Sequence, residues 1–139
     1  MRFAATAAIY PDRLTVLDSA WASARKARAF NAPRKAFELL SKLCTDYYDA
    51  MIEGRGDREG AAIFGKSSFA ARESETAENN KRARDLRRFT YKGETVEMMR
   101  HLKIGVKPSV AETFRAHFLW DADAKRIVLG HCGKHLDHG

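Results

Sequence analysis

The spacing of apolar residues predicts one long helix in the first half of the chain. Residues 34–53 carry apolar side chains every three or four positions, which is the period of an amphipathic helix. The apolar stripe consists of Phe37, Leu40, Cys44, Tyr47 and Met51. Gly54 follows directly, in a position where a glycine commonly ends a helix. We therefore expect Cys44 to be a buried core residue.

Weaker patterns flank this helix. Residues 13–30 follow Asp12, a suitable capping residue, and carry a short apolar stripe that favours a helix. Residues 54–66 contain several glycines and predict a loop. Residues 67–88 are mostly polar and contain opposite charges four positions apart, which favours a solvated helix.

From Phe89 onward the apolar period changes to two, which is typical of strands. Lys92-Gly93 predicts a turn. The strands that follow are predicted at 95–104, 112–120 and 126–132, with a hairpin turn at 121–124. The pattern predicts an α+β fold, in which N-terminal helices pack on a C-terminal twisted antiparallel sheet of three to four strands. We expect a single domain over 1–139, with 1–88 as a mainly helical layer and 89–139 as the sheet.

The charge balance of the chain favours a polyanionic partner. The chain has 25 Lys and Arg against 18 Asp and Glu, a formal net charge of +7, and 45% hydrophobic residues. Such a balance suits RNA, DNA, an anionic membrane surface or an acidic partner protein. No apolar run approaches the length of a membrane span, and the N-terminus is too weakly apolar for a signal peptide. The two cysteines are far apart in sequence, so we expect reduced thiols and a cytoplasmic protein.

The candidate catalytic side chains are concentrated near the C-terminus, where all five histidines lie in residues 101–138. Because side chains alternate along a strand, His101 and Lys103 share one face of their strand, and Arg115 and His117 share one face of the next. If the apolar residues between them face the helices, these four side chains converge on the open side of the sheet. His131, Lys134 and His135 follow at the exit of the last strand.

Imidazole and cationic side chains together suit cleavage of RNA by its own 2′-hydroxyl. The reaction needs a base, an acid and cations for the charged phosphorane, and it needs no metal or other cofactor. The candidate catalytic residues are His131, His135, Arg115, His101, Lys103 and His117. The candidate nucleic-acid contacts are Lys134, Arg82, Arg84, Arg87, Arg88 and Arg100.

The same residues are compatible with two other functional hypotheses. The terminal cluster of His131, Cys132, His135 and His138 offers nitrogen and sulfur ligands that zinc accepts, which would make this a small zinc-binding domain. The chain is also compatible with a non-catalytic basic module that binds nucleic acid or an acidic protein. The basic residues at 81–88 are also compatible with a solvated helix face that has no role in binding.

The segment from Phe89 to Leu136 resembles the RelE/ParE toxin superfamily. The resemblance is carried by four consecutive pieces, HLKIG (101–105), FRAHFLWD (114–121), DADAK (121–125) and RIVLGHCGKHL (126–136). It implies a RelE-like sheet preceded by helices. The RelE-like branch implies a ribosome-dependent endoribonuclease of a bacterial toxin–antitoxin or defence system, and the ParE-like branch implies a gyrase inhibitor.

The resemblance also implies roles for individual residues. Arg115 would contact a phosphate, His131 or His135 would serve in cleavage, and His101 and Lys103 would be the basic residues of the preceding strand. The implied partners are RNA or the ribosome and a small acidic antitoxin. Residues 1–88 are longer than the N-terminal part of a minimal toxin, so the additional helical region is expected to bind a partner or to regulate activity, unless the protein is a non-toxic relative.

Overall fold

The central sheet draws strands from both ends of the chain. The computed structural model describes residues 8–27, 31–105 and 113–136. The strands are β1 (Leu14–Val16), β2 (Phe69–Ala70), β3 (Arg88–Tyr91), β4 (Glu94–Glu97), β5 (His101–Ile104), β6 (Phe114–Asp121) and β7 (Arg126–Gly133). The helices are α1 (Asp18–Lys26), α2 (Pro33–Lys42), a π-helical turn (Leu43–Tyr47), α3 (Tyr48–Ile52), α4 (Asp57–Phe64), α5 (Glu75–Asn79) and α6 (Lys81–Leu86). The predicted α+β class is confirmed.

The sheet is mixed and has five strands in the order β1-β7-β6-β5-β2, whereas three to four antiparallel strands were predicted. Strands β5, β6 and β7 form the antiparallel centre, and β1 pairs with β7 in parallel. Three-residue and two-residue strands such as β1 and β2 are too short to show an alternating pattern in the sequence. The β1 edge is held by Arg126, whose guanidinium donates to Thr15 Oγ1 and to the Leu14 carbonyl.

The long helix predicted at 34–53 is confirmed, with α2, the π-helical turn and α3 following one another directly. Gly54 follows it with a φ of 75°, as expected for a glycine at a helix C-terminus. Cys44 is fully buried, as predicted. The Lys92-Gly93 turn is also confirmed: both residues have positive φ, 52° and 77°, and they join β3 to β4.

Several predicted element boundaries are wrong. The helix predicted at 13–30 begins only at Asp18, because the preceding residues form β1, and its predicted end at 28–30 lies outside the described residues. The loop predicted at 54–66 contains α4.

The predicted helix at 67–88 is instead β2 followed by two short helices, whose N-caps are the side chains of Ser74 and Asn80. The strand predicted at 95–104 is divided between β4 and β5, which belong to different sheets. Residue 112, where the next strand was predicted to begin, lies outside the described residues.

One face of the sheet packs on the helical layer, as predicted. Leu102, Ile104, Phe114, Ala116 and Phe118 all belong to the buried core on this side. The ring of Phe118 lies edge-on to that of Tyr47, 5.5 Å between centroids. Aromatic pairs of this geometry stabilise a core by about 0.5–1.5 kcal/mol beyond the area they bury.

The opposite face of the sheet is covered as well, although the sequence predicted it to be open. Residues 73–98, which we call the covering segment, lie across it. A Cβ added at Gly130 would come within 2.8 Å of the Met98 and Phe89 side chains, so this segment contacts β7 closely. At Gly133 the nearest atom would be the Ser23 carbonyl oxygen of α1, at 2.8 Å.

Among the described residues, no helix has the length and apolar character that crossing a bilayer requires.

Candidate functional site

Three imidazoles lie side by side on the covered face. His101 of β5 pairs in register with His117 of β6, which pairs with His131 of β7. The ring centroids of His101 and His117 are 4.7 Å apart and nearly parallel, and those of His117 and His131 are 5.8 Å apart. We call these three residues the histidine row. The pleat therefore brings together the side chains that the alternation predicted on one face, and adds His131.

The histidine row is buried, and backbone carbonyl groups fix its tautomers. The residues are 6%, 1% and 8% exposed, respectively. His101 Nδ1 donates to the Met99 carbonyl over 2.9 Å, and His117 Nδ1 donates to the Met98 carbonyl over 3.0 Å. His131 uses Nε2 to donate to the Lys134 carbonyl over 2.7 Å. Because a carbonyl oxygen only accepts, each of these nitrogens carries the proton, and the other nitrogen of each neutral ring keeps a lone pair.

Burial holds these rings neutral. Desolvation is the main cause that lowers the pKa of His101, and it lowers the pKa of His117 well below its ordinary value. Desolvation also lowers the pKa of His131 to about 4, with the charges of Lys134 and Arg87 acting in the same direction. The row is therefore a set of proton acceptors at neutral pH, not a cationic surface.

A buried ion pair of the covering segment lies over the row. Arg87 is 1% exposed, and its Nε donates to Glu73 Oε2. Its Nη1 donates to the Ala83 carbonyl over 2.8 Å and its Nη2 to the Leu136 carbonyl over 3.0 Å. Glu73 Oε1 lies 3.7 Å from His101 Nδ1. Arg87, expected as a nucleic-acid contact, is thus an internal residue that ties the covering segment to the C-terminal residues.

Beside the ion pair, a hollow of about 210 Å³ is lined by four of the six candidate catalytic residues. We call it the basic hollow. It is lined by Ala70, Arg72, Glu73, Ser74, His101, Lys103, Arg115 and His135. Lys103 lies directly across from Arg115 in the strand register. Arg115 Nη1 donates to the carbonyl groups of Ile104, Gly105 and Phe114, at 3.1, 3.0 and 2.8 Å, which fixes the guanidinium in place.

The basic hollow includes two charged residues that were absent from the sequence-based candidates, Glu73 and Arg72. Both lie in the stretch predicted to be a solvated helix, where acidic and basic residues are common and nothing marks one of them as buried. Only the fold, which brings residue 73 beside residue 101, reveals Glu73 as part of the site.

His131 and His135 line different hollows, although the two side chains are close enough to interact electrostatically. The hollow at His131 has a volume of about 460 Å³ and lies between α1 and the end of β7. It is lined by Ser19, Ala22, Ser23, Lys26, Ala27, His131 and Lys134. The convergence predicted for the candidate catalytic residues is therefore partial: His101, Lys103, Arg115 and His135 share one hollow, His117 is buried behind it, and His131 lies elsewhere.

The terminal zinc cluster is not assembled among the described residues. His131 and Cys132 are neighbours on a strand and point to opposite faces, with Cys132 in the core against the helices. Burial raises the pKa of the Cys132 thiol. His135 lines the basic hollow, and His138 lies outside the described residues. A different group of possible ligands is present: single atoms of Glu73, His101 and His117 lie within 4.8 Å of one another.

Most of the candidate nucleic-acid contacts at 82–88 are paired with carboxylates. Arg84 Nη2 lies 2.9 Å from Glu97 Oε1, and Arg88 bridges Glu97 and Asp85. Hydrogen bonds from Arg84 and Arg88 lower the pKa of the Glu97 carboxyl group. Of the other candidates for nucleic-acid contact, Arg82 and Lys134 are exposed and Arg100 is half-buried.

Comparisons with protein-family models, with curated proteins and with solved structures found no match to this chain. The functional interpretation therefore depends on the site geometry and on the resemblance described above.

Proposed function

We propose that the protein is a metal-independent endoribonuclease of a toxin–antitoxin or defence system, and that its reaction takes place in the basic hollow. The observation that carries the proposal is the composition of this hollow. It places two imidazoles, of His101 and His135, beside the cations Lys103 and Arg115. Proton acceptor, proton donor and phosphate-binding groups thus lie within one small space, as cleavage by an internal hydroxyl requires.

The roles follow from the hydrogen bonds of each group. His101 donates its Nδ1 proton to the Met99 carbonyl, so its Nε2 accepts the proton of the RNA 2′-hydroxyl. The 2′-oxygen forms a bond to the adjacent phosphorus, and the bond from phosphorus to the 5′-oxygen breaks. His135, as the imidazolium, gives its proton to the leaving 5′-oxygen. The products are a 2′,3′-cyclic phosphate and a free 5′-hydroxyl.

The cations stabilise the charge that develops on the phosphorane. Arg115 is held rigidly by three carbonyl groups, so it needs little reorganisation when the charge forms. Lys103, half-buried across from it, supplies a second positive charge from the neighbouring strand. His117 is buried behind His101, where it supports the position of that ring without contacting RNA.

The RelE/ParE resemblance agrees with this assignment. The order of helices followed by β5, β6 and β7 is the order that the resemblance implies, and Arg115 on β6 is the residue that it associates with phosphate. It associates His131 or His135 with cleavage, and of these only His135 lines the basic hollow. Ribosome-bound mRNA is therefore the substrate to test first, and a small acidic antitoxin is the partner to expect.

The test is cleavage of ribosome-bound mRNA by the purified 139-residue protein. We expect products that end in a 2′,3′-cyclic phosphate. His135→Ala and Lys103→Gln should each slow cleavage by about 100-fold, since positioned acid–base and charged groups typically contribute this much or more. Lys42→Gln, an exposed substitution at the end of α2, should leave the rate unchanged. Intact mRNA in the presence of folded wild-type protein and ribosomes would overturn the proposal.

A non-catalytic binding module is the second candidate, and one observation favours it. His117 and His131 are buried and hydrogen-bonded to carbonyl groups, which is the environment of structural histidines. Under this reading the wild-type protein binds RNA or an acidic protein, and His135→Ala leaves that binding unchanged. The cleavage assay and a binding assay on the same variants separate the two.

A further inference from the structure

One nitrogen in the centre of the histidine row has no hydrogen-bond partner among the residues that the structure describes. His117 Nδ1 donates to the Met98 carbonyl, so the neutral ring carries its lone pair on Nε2. The residue is 1% exposed, and within the described ranges 8–27, 31–105 and 113–136 the structure gives this Nε2 atom no donor. Buried polar atoms in native proteins are nearly always satisfied, and an exception commonly marks a bound water or ion.

The surroundings of this nitrogen resemble a metal-ligand set. Glu73 from the covering segment and His101 from β5 flank His117, and one possible ligand atom of each lies within 4.8 Å of the other two. Two imidazole nitrogens and a carboxylate oxygen are ligands that zinc accepts at three-ligand sites with an open fourth position. The carbonyl groups of Met99 and Met98 orient the two rings through Nδ1, as carbonyl groups orient metal-bound histidines.

We propose that Glu73, His101 and His117 form a binding site for a divalent transition-metal ion, with Zn²⁺ as the occupant. Ligand atoms around a tetrahedral zinc lie about 3.4 Å from one another, so the three side chains close on the ion by about 1 Å. Glu73 offers Oε1 to the ion while its Oε2 keeps the Arg87 ion pair. The fourth position faces the basic hollow.

The surrounding charges set the affinity of this site. Arg87, Lys103 and Arg115 are all close to it and oppose a dication. We therefore expect binding in the micromolar range, weaker than at a closed structural zinc site. The site differs from the predicted terminal cluster: Cys132 lies in the core and His131 lines another hollow, and only His135 shares the basic hollow with Glu73 and His101.

Metal binding would connect the covering segment to the sheet. Glu73 belongs to the covering segment, and the two histidines belong to β5 and β6, so an ion bound by all three stabilises the covered arrangement. The site also shares Glu73 and His101 with the basic hollow. This second consequence rests on the proposed function: Zn²⁺ would inhibit RNA cleavage by occupying the proton acceptor.

The experiment uses the metal-stripped 139-residue protein and two probes, Zn²⁺ and Co²⁺. Zn²⁺ should raise the Tm by several degrees and saturate at one equivalent, and Co²⁺ should give the visible absorption of a tetrahedral ion. His101→Gln and His117→Gln should each weaken Co²⁺ binding by at least 10-fold. His131→Gln is the matched control, because this third member of the row lies outside the ligand group, and it should bind as the wild type does.

The imidazole resonances of the wild-type protein provide a test that does not depend on the folding of any variant. Zn²⁺ should move the imidazole ¹⁵N resonances of His101 and His117 and leave those of His131 in place. Absence of saturable binding overturns the proposal, and so does a shift confined to His131 and His135. Zinc binding without any RNA cleavage overturns only the proposed function, and cleavage without zinc binding overturns only the metal site.

Discussion

At the scale of single residues, the same side-chain type has opposite roles depending on burial. Arg82 and Arg87 belong to one basic stretch of sequence, and nothing in that stretch distinguishes them. In the fold Arg82 is exposed, whereas Arg87 is enclosed and bonded to Glu73 and to two carbonyl groups. The position of Arg87 therefore predicts a role in stability and not in RNA affinity.

Replacing Arg87 by Met should destabilise the protein by about 3–5 kcal/mol, because it leaves the buried Glu73 carboxylate without its partner. Arg82→Met, an exposed change of the same type, should alter the free energy of unfolding by less than about 0.5 kcal/mol. Urea unfolding of both variants measures the difference. An Arg87 variant as stable as the wild type but with weaker RNA binding would show that this residue is a phosphate contact after all.

The histidine row should make the metal-free protein labile in acid. His131 has an ordinary pKa of 6.5, and burial lowers this pKa to about 4 in the folded state. Between these pH values the unfolded chain binds more protons, so the free energy of unfolding decreases as the pH falls from about 6.5 to about 4. His131 alone accounts for a loss of about 3 kcal/mol, and the lowered pKa values of His101 and His117 act in the same direction.

Urea unfolding at several pH values between 7 and 4 tests this expectation. In His131→Gln the titrating group is absent, so the stability of the variant should fall less steeply with decreasing pH than that of the wild type. Equal slopes in the two proteins would mean that His131 is protonated in the folded state at an ordinary pKa.

Among the helices and strands, the length of an element determines whether it can be predicted from the sequence. The helix at 34–53 and the strands β6 and β7 extend over eight or more residues, which is long enough for the sequence to indicate the element. Strands β1 and β2 have three and two residues, which show no period, and they are placed by pairing with distant strands. The polar 67–88 stretch satisfies local helix rules and still breaks at Asn80, whose side chain caps a new helix.

Two glycines in β7 determine how closely its neighbours approach. Gly130→Ala should destabilise the protein by about 1–3 kcal/mol, because the new methyl group meets the Met98 and Phe89 side chains, which move only at the expense of packing. Gly133→Ala should have at least as large an effect, since its neighbour is backbone of α1. Thermal unfolding measures both, and a change below about 0.5 kcal/mol in either variant would contradict the contact described for it.

At the scale of the whole molecule, the site is made by a face of the sheet and the segment that covers it. Strand alternation was enough to place His101, Lys103, Arg115 and His117 on one face, and the register of β5, β6 and β7 places them side by side. The covering segment was not predictable, because its contacts join residues far apart in sequence, such as Arg87 and Leu136. The same long-range contacts make His117 an internal residue and leave His135 at the basic hollow.

Mapping of RNA ends in bacteria that express the protein tests the proposed cleavage of RNA in the basic hollow. Induction of the wild type should produce new 2′,3′-cyclic-phosphate ends in mRNA within minutes, together with growth arrest. His135→Ala, expressed to the same level, should produce neither. Identical RNA ends before and after induction of the wild type, or the same new ends with His135→Ala, would contradict the claim.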